Sequence, residues 1–352
     1  MSQTLDSIRQ RVDDALDREL DACLERLVAD DAALAPVGDA LRAFLAGGKR
    51  IRPVLLLLGY RAGGGRDLDA AMGPALAMEL LHTCALVHDD VIDRASTRRG
   101  APTVHRKFAS AHQENEWRGR SSSFGRAVAI LLGDLAFVYA DAAFFRTTAA
   151  PQATITAFAR FTRLREEVMA GQYLDLYSAT AGISDRATAE KVATLKSGRY
   201  SVARPLEVGA LLAGADDALV NGLAAFGDPI GRAFQVRDDL LGLFGDEDAT
   251  GKSTSSDLAE GKRTLLIAEA LARLDEASAR ELDALLGLPD LTDDDVGRAR
   301  RLVRDADAPA IAEAYIDAAL TDGFAALDAL QLDEEVAELL GEMAGALGFR
   351  TR

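Results

Sequence analysis

His82-Thr83-Cys84-Ala85-Leu86-Val87-His88-Asp89-Asp90-Val91-Ile92-Asp93 closes a long apolar stretch with three carboxylates. The apolar residues leading into it recur at helical spacing, so the pattern predicts a helix over 68–93. Asp89 and Asp93 stand four residues apart and therefore share one helix face, where two carboxylates can hold a hard cation. As a mere solvated helix end the arrangement is poor, because like charges at i and i+4 repel and negative charge opposes the dipole of a helix C-terminus. Two unfavourable terms at one place point to a compensating cation.

Outward from this segment the same periodicity covers nearly the whole chain. Helices are predicted at 3–30, 36–46, 52–63, 68–93, 125–147, 151–180, 186–213, 216–245, 258–274, 277–286, 293–305, 309–324 and 333–348, with no alternating strand. Breaks fall at Gly/Pro/Ser clusters such as Gly47-Gly48 and Gly63-Gly64-Gly65. No fixed-period repeat or low-complexity linker divides the chain, so residues 1–352 read as a single all-α domain. Two long interruptions remain, 94–124 and 245–259, and each follows an aspartate pair. The composition agrees: 49% of the 352 residues are hydrophobic but only 6% are aromatic, which is stock for helices rather than strands.

A net charge of −16 would repel a phosphate backbone and argues against a nucleic-acid partner. Cys23 and Cys84 form no CxxC, so neither a disulfide framework nor a zinc site is indicated. The charged N-terminus lacks an apolar signal core. The best apolar run, 54–60, is far too short for a membrane span, so no stable membrane insertion is expected. The chain reads as soluble and cytoplasmic.

A second acidic site, Gln235-Val236-Arg237-Asp238-Asp239-Leu240-Leu241-Gly242, also ends an apolar helix. Its i+4 position is Gly242, so a third carboxylate is missing there. Mg²⁺ keeps few protein ligands and completes its shell with water and phosphate oxygens, so sparse carboxylates suffice. Basic residues cluster in Gly47-Gly48-Lys49-Arg50-Ile51-Arg52-Pro53 and at Arg98-Arg99-Gly100, while Lys196, Lys252 and Lys262 lie in Gly- or Ser-containing contexts. Each alone is a solvated surface charge; together, in an acidic chain, they suit phosphate. The run from Gly245 to Ser253 imitates a P-loop but has five residues between its glycines where four are required, and it follows a helix.

In this order, the segments GGKRIRP, HTCALVHDDVID, RRGAPTVH, ILLGD, GQYLDL, LKSGRY, FQVRDDLLGLFGD, TGK, DL and EGKRT resemble the trans-prenyl diphosphate synthase family, from Gly47 to about Leu266. The resemblance implies long helices around a central cavity, usually in a homodimer. It implies that Asp89, Asp90, Asp93 and Asp238 bind Mg²⁺, and that Asp239 belongs with them in catalysis. Arg98, Lys196, Ser197, Gln235, Lys252 and Lys262 would grip the diphosphate of an allylic substrate (dimethylallyl, geranyl or farnesyl), with Lys196 also acting in catalysis. Lys49, Arg52, His82 and Arg99 would bind isopentenyl diphosphate. Gly242 departs from the family's frequent third aspartate, which implies a less rigid second ion site unless Asp246 compensates. In the reaction implied, diphosphate departs once its charge is neutralised, and the isopentenyl double bond attacks the allylic cation.

The helix before Asp89 would then line the tail pocket. Met78, Leu81, His82, Cys84 and Ala85 lie on the aspartate face, and each turn descends about 5.4 Å. In the family bulky aromatics at i−4 or i−5 stop the product at farnesyl length. Cys84 and Ala85 are small, which favours a geranylgeranyl (C20) product over a farnesyl one, with Phe137 or Phe144 as candidate floors. The motif wording and the inserted loop 112–126 look most like bacterial geranylgeranyl diphosphate synthases. A longer polyprenyl product is a further alternative. A terpene cyclase would need an Asn/Asp-Ser-Glu triad at the second site, and a non-catalytic subunit of a heteromeric synthase would not need both aspartate pairs.

Overall fold

The computed structural model describes residues 2–245, 256–288 and 290–349. Among these the chain is helical almost throughout. The N-terminal half comprises α1 (Gln3–Asp30), α2 (Ala35–Leu45), α3 (Ile51–Ala62), α4 (Asp69–Ile92), α5 (Val104–Glu114), α6 (Ser121–Phe144) and α7 (Pro151–Ala181). After it come α8 (Arg186–Val192), a π-helical segment (Ala193–Ala203), α9 (Arg204–Leu212) and α10 (Asp217–Phe244). The remainder is α11 (Ser256–Ala259), α12 (Leu265–Arg273), α13 (Glu276–Leu285), α14 (Asp293–Asp305), α15 (Ala308–Asp328) and α16 (Glu334–Gly348). Starts follow capping chemistry: Ser2, Asp185, Asp216, Thr264 and Asp275 each accept a backbone N–H of the first turn.

The middle of the molecule is α4, buried on every side from Ala70 to Leu81, as befits a helix that is apolar all round. Against it lie α3, whose run Pro53–Tyr60 is wholly buried, and α6. Backbone contact without side chains brings α3 and α9 together. A Cβ on Gly59 would stand 2.1 Å from the Leu206 carbonyl oxygen, and one on Gly209 would stand 1.9 Å from that of Leu56. Bare Cα positions at Gly198 and Gly231 likewise seat the π-helical segment on α10. These crossings fix the two aspartate-bearing helices relative to one scaffold.

The structure corrects four expectations. The interval 94–124 contains α5, which the pattern hid because its buried face is Val104, His105, Phe108 and His112 rather than a run of aliphatics. The same interval holds a two-residue antiparallel hairpin, Thr97–Arg98 with Ala101–Pro102, turned by left-handed Arg99 and Gly100. The single helices expected over 186–213 and 258–274 are each broken, into α8, the π-helical segment and α9, and into α11 and α12. Periodicity cannot detect the extra residue per turn of a π-helix. Finally, α4 and α6 are each long and apolar enough to cross a membrane, because small residues carry the hydropathy across the few polar ones. The α4 window is mostly buried and serves as core, whereas α6 is buried over only 39% of its window.

Candidate active site

The last turns of α4 and α10 border one cleft of about 230 Å³, lined by Asp89, Asp175, Lys196, Ser197, Gln235, Asp238, Asp239, Gly242, Asp257 and Lys262. A larger hollow of about 630 Å³ lies elsewhere, between α1 and α16. Its Arg11 and Arg61 are already paired with Asp69 and Glu335, and it holds no comparable chemistry.

On α4 the three aspartates play different parts. Asp89 accepts a hydrogen bond from Gln172 Nε2 at 3.0 Å, and Lys196 Nζ stands 4.0 Å away. Asp90 is turned inward, 1% exposed, and its Oδ1 accepts from Arg98 Nε and Nη2 at 2.8 and 2.7 Å. Asp93 caps the helix, donating its backbone N–H to the Asp89 carbonyl. Burial, and then the charges of Asp89 and Glu260, push its carboxyl up to about 7.

On α10, Asp239 accepts from Gln235 Nε2 at 2.7 Å. Burial first, and then Asp257, push its carboxyl up to about 8. The position four residues after Asp238 is filled from another element: a Cβ on Gly242 would lie 2.5 Å from Asp257 Oδ2. Facing these acids, Lys196 Nζ donates to Asp175 Oδ2 at 2.6 Å. Lys262 Nζ donates to Asp257 Oδ1 at 2.9 Å and approaches Glu260 Oε2 at 2.5 Å. Burial alone would weaken both ammonium groups, but their acidic neighbours hold both above the ordinary lysine range.

Two carboxyls are raised first by burial and then by neighbouring carboxylates, and an added hard cation would favour their ionised form. The donors are carboxylate oxygens without His or Cys, a set that suits Mg²⁺. Among the described residues no three His, Cys, Asp or Glu side chains converge tightly enough to hold an ion alone. An ion here therefore takes further oxygens from water or a ligand, as Mg²⁺ does readily.

A second cationic group adjoins the cleft. Arg52 Nη2 donates to Ser201 Oγ at 2.7 Å, and its guanidinium lies 4.4 Å above the Tyr200 ring. Tyr200 Oη is 3.4 Å from His82 Nδ1. Arg52 Nε is buried with no hydrogen-bond partner among the described atoms, an arrangement that leaves a donor for an anion. Lys49 lies on the turn before α3, and Arg99 approaches the same turn at Gly48.

The structure thus gathers Asp89, Lys196, Ser197, Gln235, Asp238, Asp239 and Lys262 on the cleft, with Asp93 inside the same field. Arg52 and His82 meet separately through Tyr200. Arg98 lies against Asp90 rather than open to the cleft. Lys252 and Asp246 lie outside the described residues. Sequence reasoning assigned nothing to Gln172, Asp175, Tyr200, Ser201, Asp257 or Glu260. The first four sit in GQYLDL and LKSGRYS, where polar residues inside an apolar helix pattern were the available signal.

Helix ends bearing carboxylates, opposed by half-buried lysines across one cleft in an all-helical scaffold, define a protein that gathers a polyanion. The chain matches the polyprenyl synthetase family model over residues 36–303 and belongs to that family. It is 36% identical over 298 residues to a geranylgeranyl diphosphate synthase of Mycobacterium tuberculosis, covering 82% of this chain and 78% of that protein. It is 35% identical over 246 residues to a short chain isoprenyl diphosphate synthase of Methanothermobacter thermautotrophicus, covering 70% of each. The crystal structure of a geranylgeranyl pyrophosphate synthase from Corynebacterium glutamicum, complexed with isoprenyl diphosphate and magnesium, aligns with a TM-score of 0.94 at 35% identity over 99% of both chains.

Proposed function

We propose that this chain, folded as one domain over its whole length, is a Mg²⁺-dependent prenyltransferase that condenses isopentenyl diphosphate with allylic diphosphates and releases geranylgeranyl diphosphate. The observation that carries it is the pairing of Asp89 with Asp238 and Asp239 across one cleft with Lys196 and Lys262, Asp93 lying within the field of the same charges. Asp89, Asp93 and Asp238 would hold Mg²⁺, which when bound neutralises the leaving diphosphate. Lys196, Ser197, Gln235 and Lys262 orient the allylic diphosphate, and Lys252 joins them by family resemblance. Arg98 fixes Asp90 and adds positive charge at the cleft edge. Arg52, with His82, Lys49 and Arg99, receives the second diphosphate so that its alkene faces the allylic carbon. The π-helical segment serves both sites, with Lys196 and Ser197 towards one and Tyr200 and Ser201 towards the other. Purified protein with Mg²⁺, farnesyl diphosphate and isopentenyl diphosphate should form a C20 product; no elongation would sink this reading.

Product length follows from α4. Cys84 is buried and Ala85 half-buried beneath Asp89, and neither obstructs a growing tail. Ala85→Phe is expected to shift the product towards C15, read by chromatography of the dephosphorylated prenols; an unchanged distribution removes the ruler from this helix. Support for a homodimer comes from α6 and α7. Ile130, Leu131 and Val138 of α6 and Ile155, Met169 and Tyr173 of α7 are all exposed, Leu131 and Tyr173 by 66%. An apolar face of this kind calls for a partner surface, and a second copy supplies one. The acidic composition favours a cytoplasmic setting.

Protons and Mg²⁺ should compete at the cleft. Asp93 and Asp239 bind protons more tightly folded than unfolded, up to about 7 and about 8 against 3.8 for the free group. The metal-free fold therefore carries excess protons in that window and loses stability as pH rises through it. Bound Mg²⁺ removes that loss. The Tm increment on adding Mg²⁺ should accordingly grow between pH 6 and pH 8.5; equal increments at both pH values contradict this account.

A further inference from the structure

We infer that Arg50, through Glu79, is the positioning residue of the isopentenyl diphosphate subsite, an inference that rests on the reading above. Arg50 cannot itself be a ligand. It is 5% exposed, and each nitrogen of its guanidinium is engaged: Nε donates to Asp13 Oδ1 at 2.7 Å, Nη1 to Glu79 Oε1 at 2.6 Å and Nη2 to the Leu45 carbonyl at 2.7 Å. One side chain thus ties α1, the end of α2 and the middle of α4 to a single point in the chain.

That point lies between the two basic residues assigned to the second substrate. Arg50 adopts the left-handed conformation, φ 51° and ψ 34°, at the start of α3, and its side chain makes no capping bond there. The conformation costs a non-glycine residue about 1–2 kcal/mol, so the three anchors must hold it. Gly47 and Gly48 precede it at φ 72° and 111° and bring no stiffness of their own. The Arg50 torsions therefore aim Lys49 on one side and set the first turn of α3, hence Arg52, on the other.

Glu79 carries the electrostatic half of the device. A Cβ on Gly48 would stand 3.4 Å from Arg50 Nη1 and 3.8 Å from both Arg99 Nη2 and Glu79 Oε1. Arg50 and Arg99 thus approach the same carboxylate beside Gly48, where the φ of 111° and not a lack of space calls for glycine. Lys49, Arg50, Arg52 and Arg99 would otherwise repel one another, and Glu79 offsets that while leaving Arg52 free to lie over Tyr200. A buried pair of this kind contributes little net stability, because desolvation opposes the attraction, but it fixes geometry.

Arg50→Lys keeps the charge and loses the fork, so it can satisfy one anchor of the three. Calorimetry with farnesyl thiodiphosphate and Mg²⁺ filling the allylic site should show the Kd for isopentenyl diphosphate rising about tenfold in Arg50→Lys. Affinity for farnesyl thiodiphosphate should stay unchanged. In turnover, KM for isopentenyl diphosphate should rise in step while kcat is kept. Glu79→Gln should act in the same direction, and the double variant should be no worse than the worse single one, since the two share one interaction. Equal weakening of both ligands, or unchanged isopentenyl diphosphate binding, overturns the inference. If Arg50→Lys fails to fold, Asp13→Asn removes only the α1 anchor and should still weaken isopentenyl diphosphate selectively; unchanged binding there overturns it too. Wild-type protein that binds no isopentenyl diphosphate overturns the functional reading itself.

Discussion

Asp89→Asn is expected to lower kcat/KM by about a thousandfold, the scale on which removing one preorganised charge-stabilising group acts. Asp89 stands where α7, the π-helical segment and the β-hairpin converge on α4, near Gln172, Lys196 and Arg98. Asparagine keeps the shape and one acceptor oxygen but loses the charge that would attract Mg²⁺. It also removes the second-largest cause of the raised Asp93 carboxyl, so the neighbouring acid should ionise at lower pH. The Asp89 side chain is 24% exposed, so the change should cost little stability and Tm should move by only a few degrees. Steady-state rates with a Mg²⁺ titration check this: the half-saturating Mg²⁺ concentration should rise as kcat/KM falls. Asp90→Asn should behave differently, because Asp90 is buried against Arg98 and its loss strands that guanidinium.

Gly171→Ala is expected to cost about a hundredfold in kcat/KM while leaving the charge of every cleft residue untouched. A Cβ at residue 171 would lie 2.4 Å from the Lys196 backbone nitrogen and 2.8 Å from its Cα. Neither atom belongs to a flexible side chain, so α7 and the π-helical segment must part by something close to 1 Å. A displacement of that size at a positioning element is enough for the stated loss. Overpacking of this kind also costs about 1–3 kcal/mol, so Tm should drop by several degrees. Activity and thermal unfolding on the same preparation test both statements. Full activity in the variant would mean that the close approach at Lys196 is not what sets the reactive geometry.

Both effects depend on features of different legibility. The helical course of α1, α4, α7, α10 and α14 was plain in the sequence, because each carries an apolar stripe longer than any strand and most start at a side-chain cap. The i, i+4 relation of Asp89 and Asp93 was equally plain, since a helix fixes it within five residues. The helix α5 was not, for its inward face is half histidine. Nor was the π-helical segment, whose register shift leaves no trace in apolar spacing.

At the second aspartate site the sequence displayed a deficit, Gly242 where the first site has Asp93. Only the folded chain shows Asp257 Oδ2 against that glycine, a carboxylate brought from α11 fifteen residues on in the chain. The basic residues tell the same story. Their number in an acidic chain implied a bound anion, but their partners could not be read. Arg98 lies on Asp90, Lys196 on Asp175 and Lys262 on Asp257 and Glu260.

By itself, then, the sequence determined the all-helical build, the carboxylate pairs at two helix ends and the resemblance to prenyl diphosphate synthases. These rest on local geometry: a 3.6-residue turn and the identity of the side chains it aligns. The tertiary structure alone decided which aspartate turns inward to Arg98, how far burial raises Asp93 and Asp239, and how Arg50 ties three helices to the turn beside Lys49. Those depend on desolvation and on contacts between residues far apart in sequence, which only helix packing brings within a few ångströms.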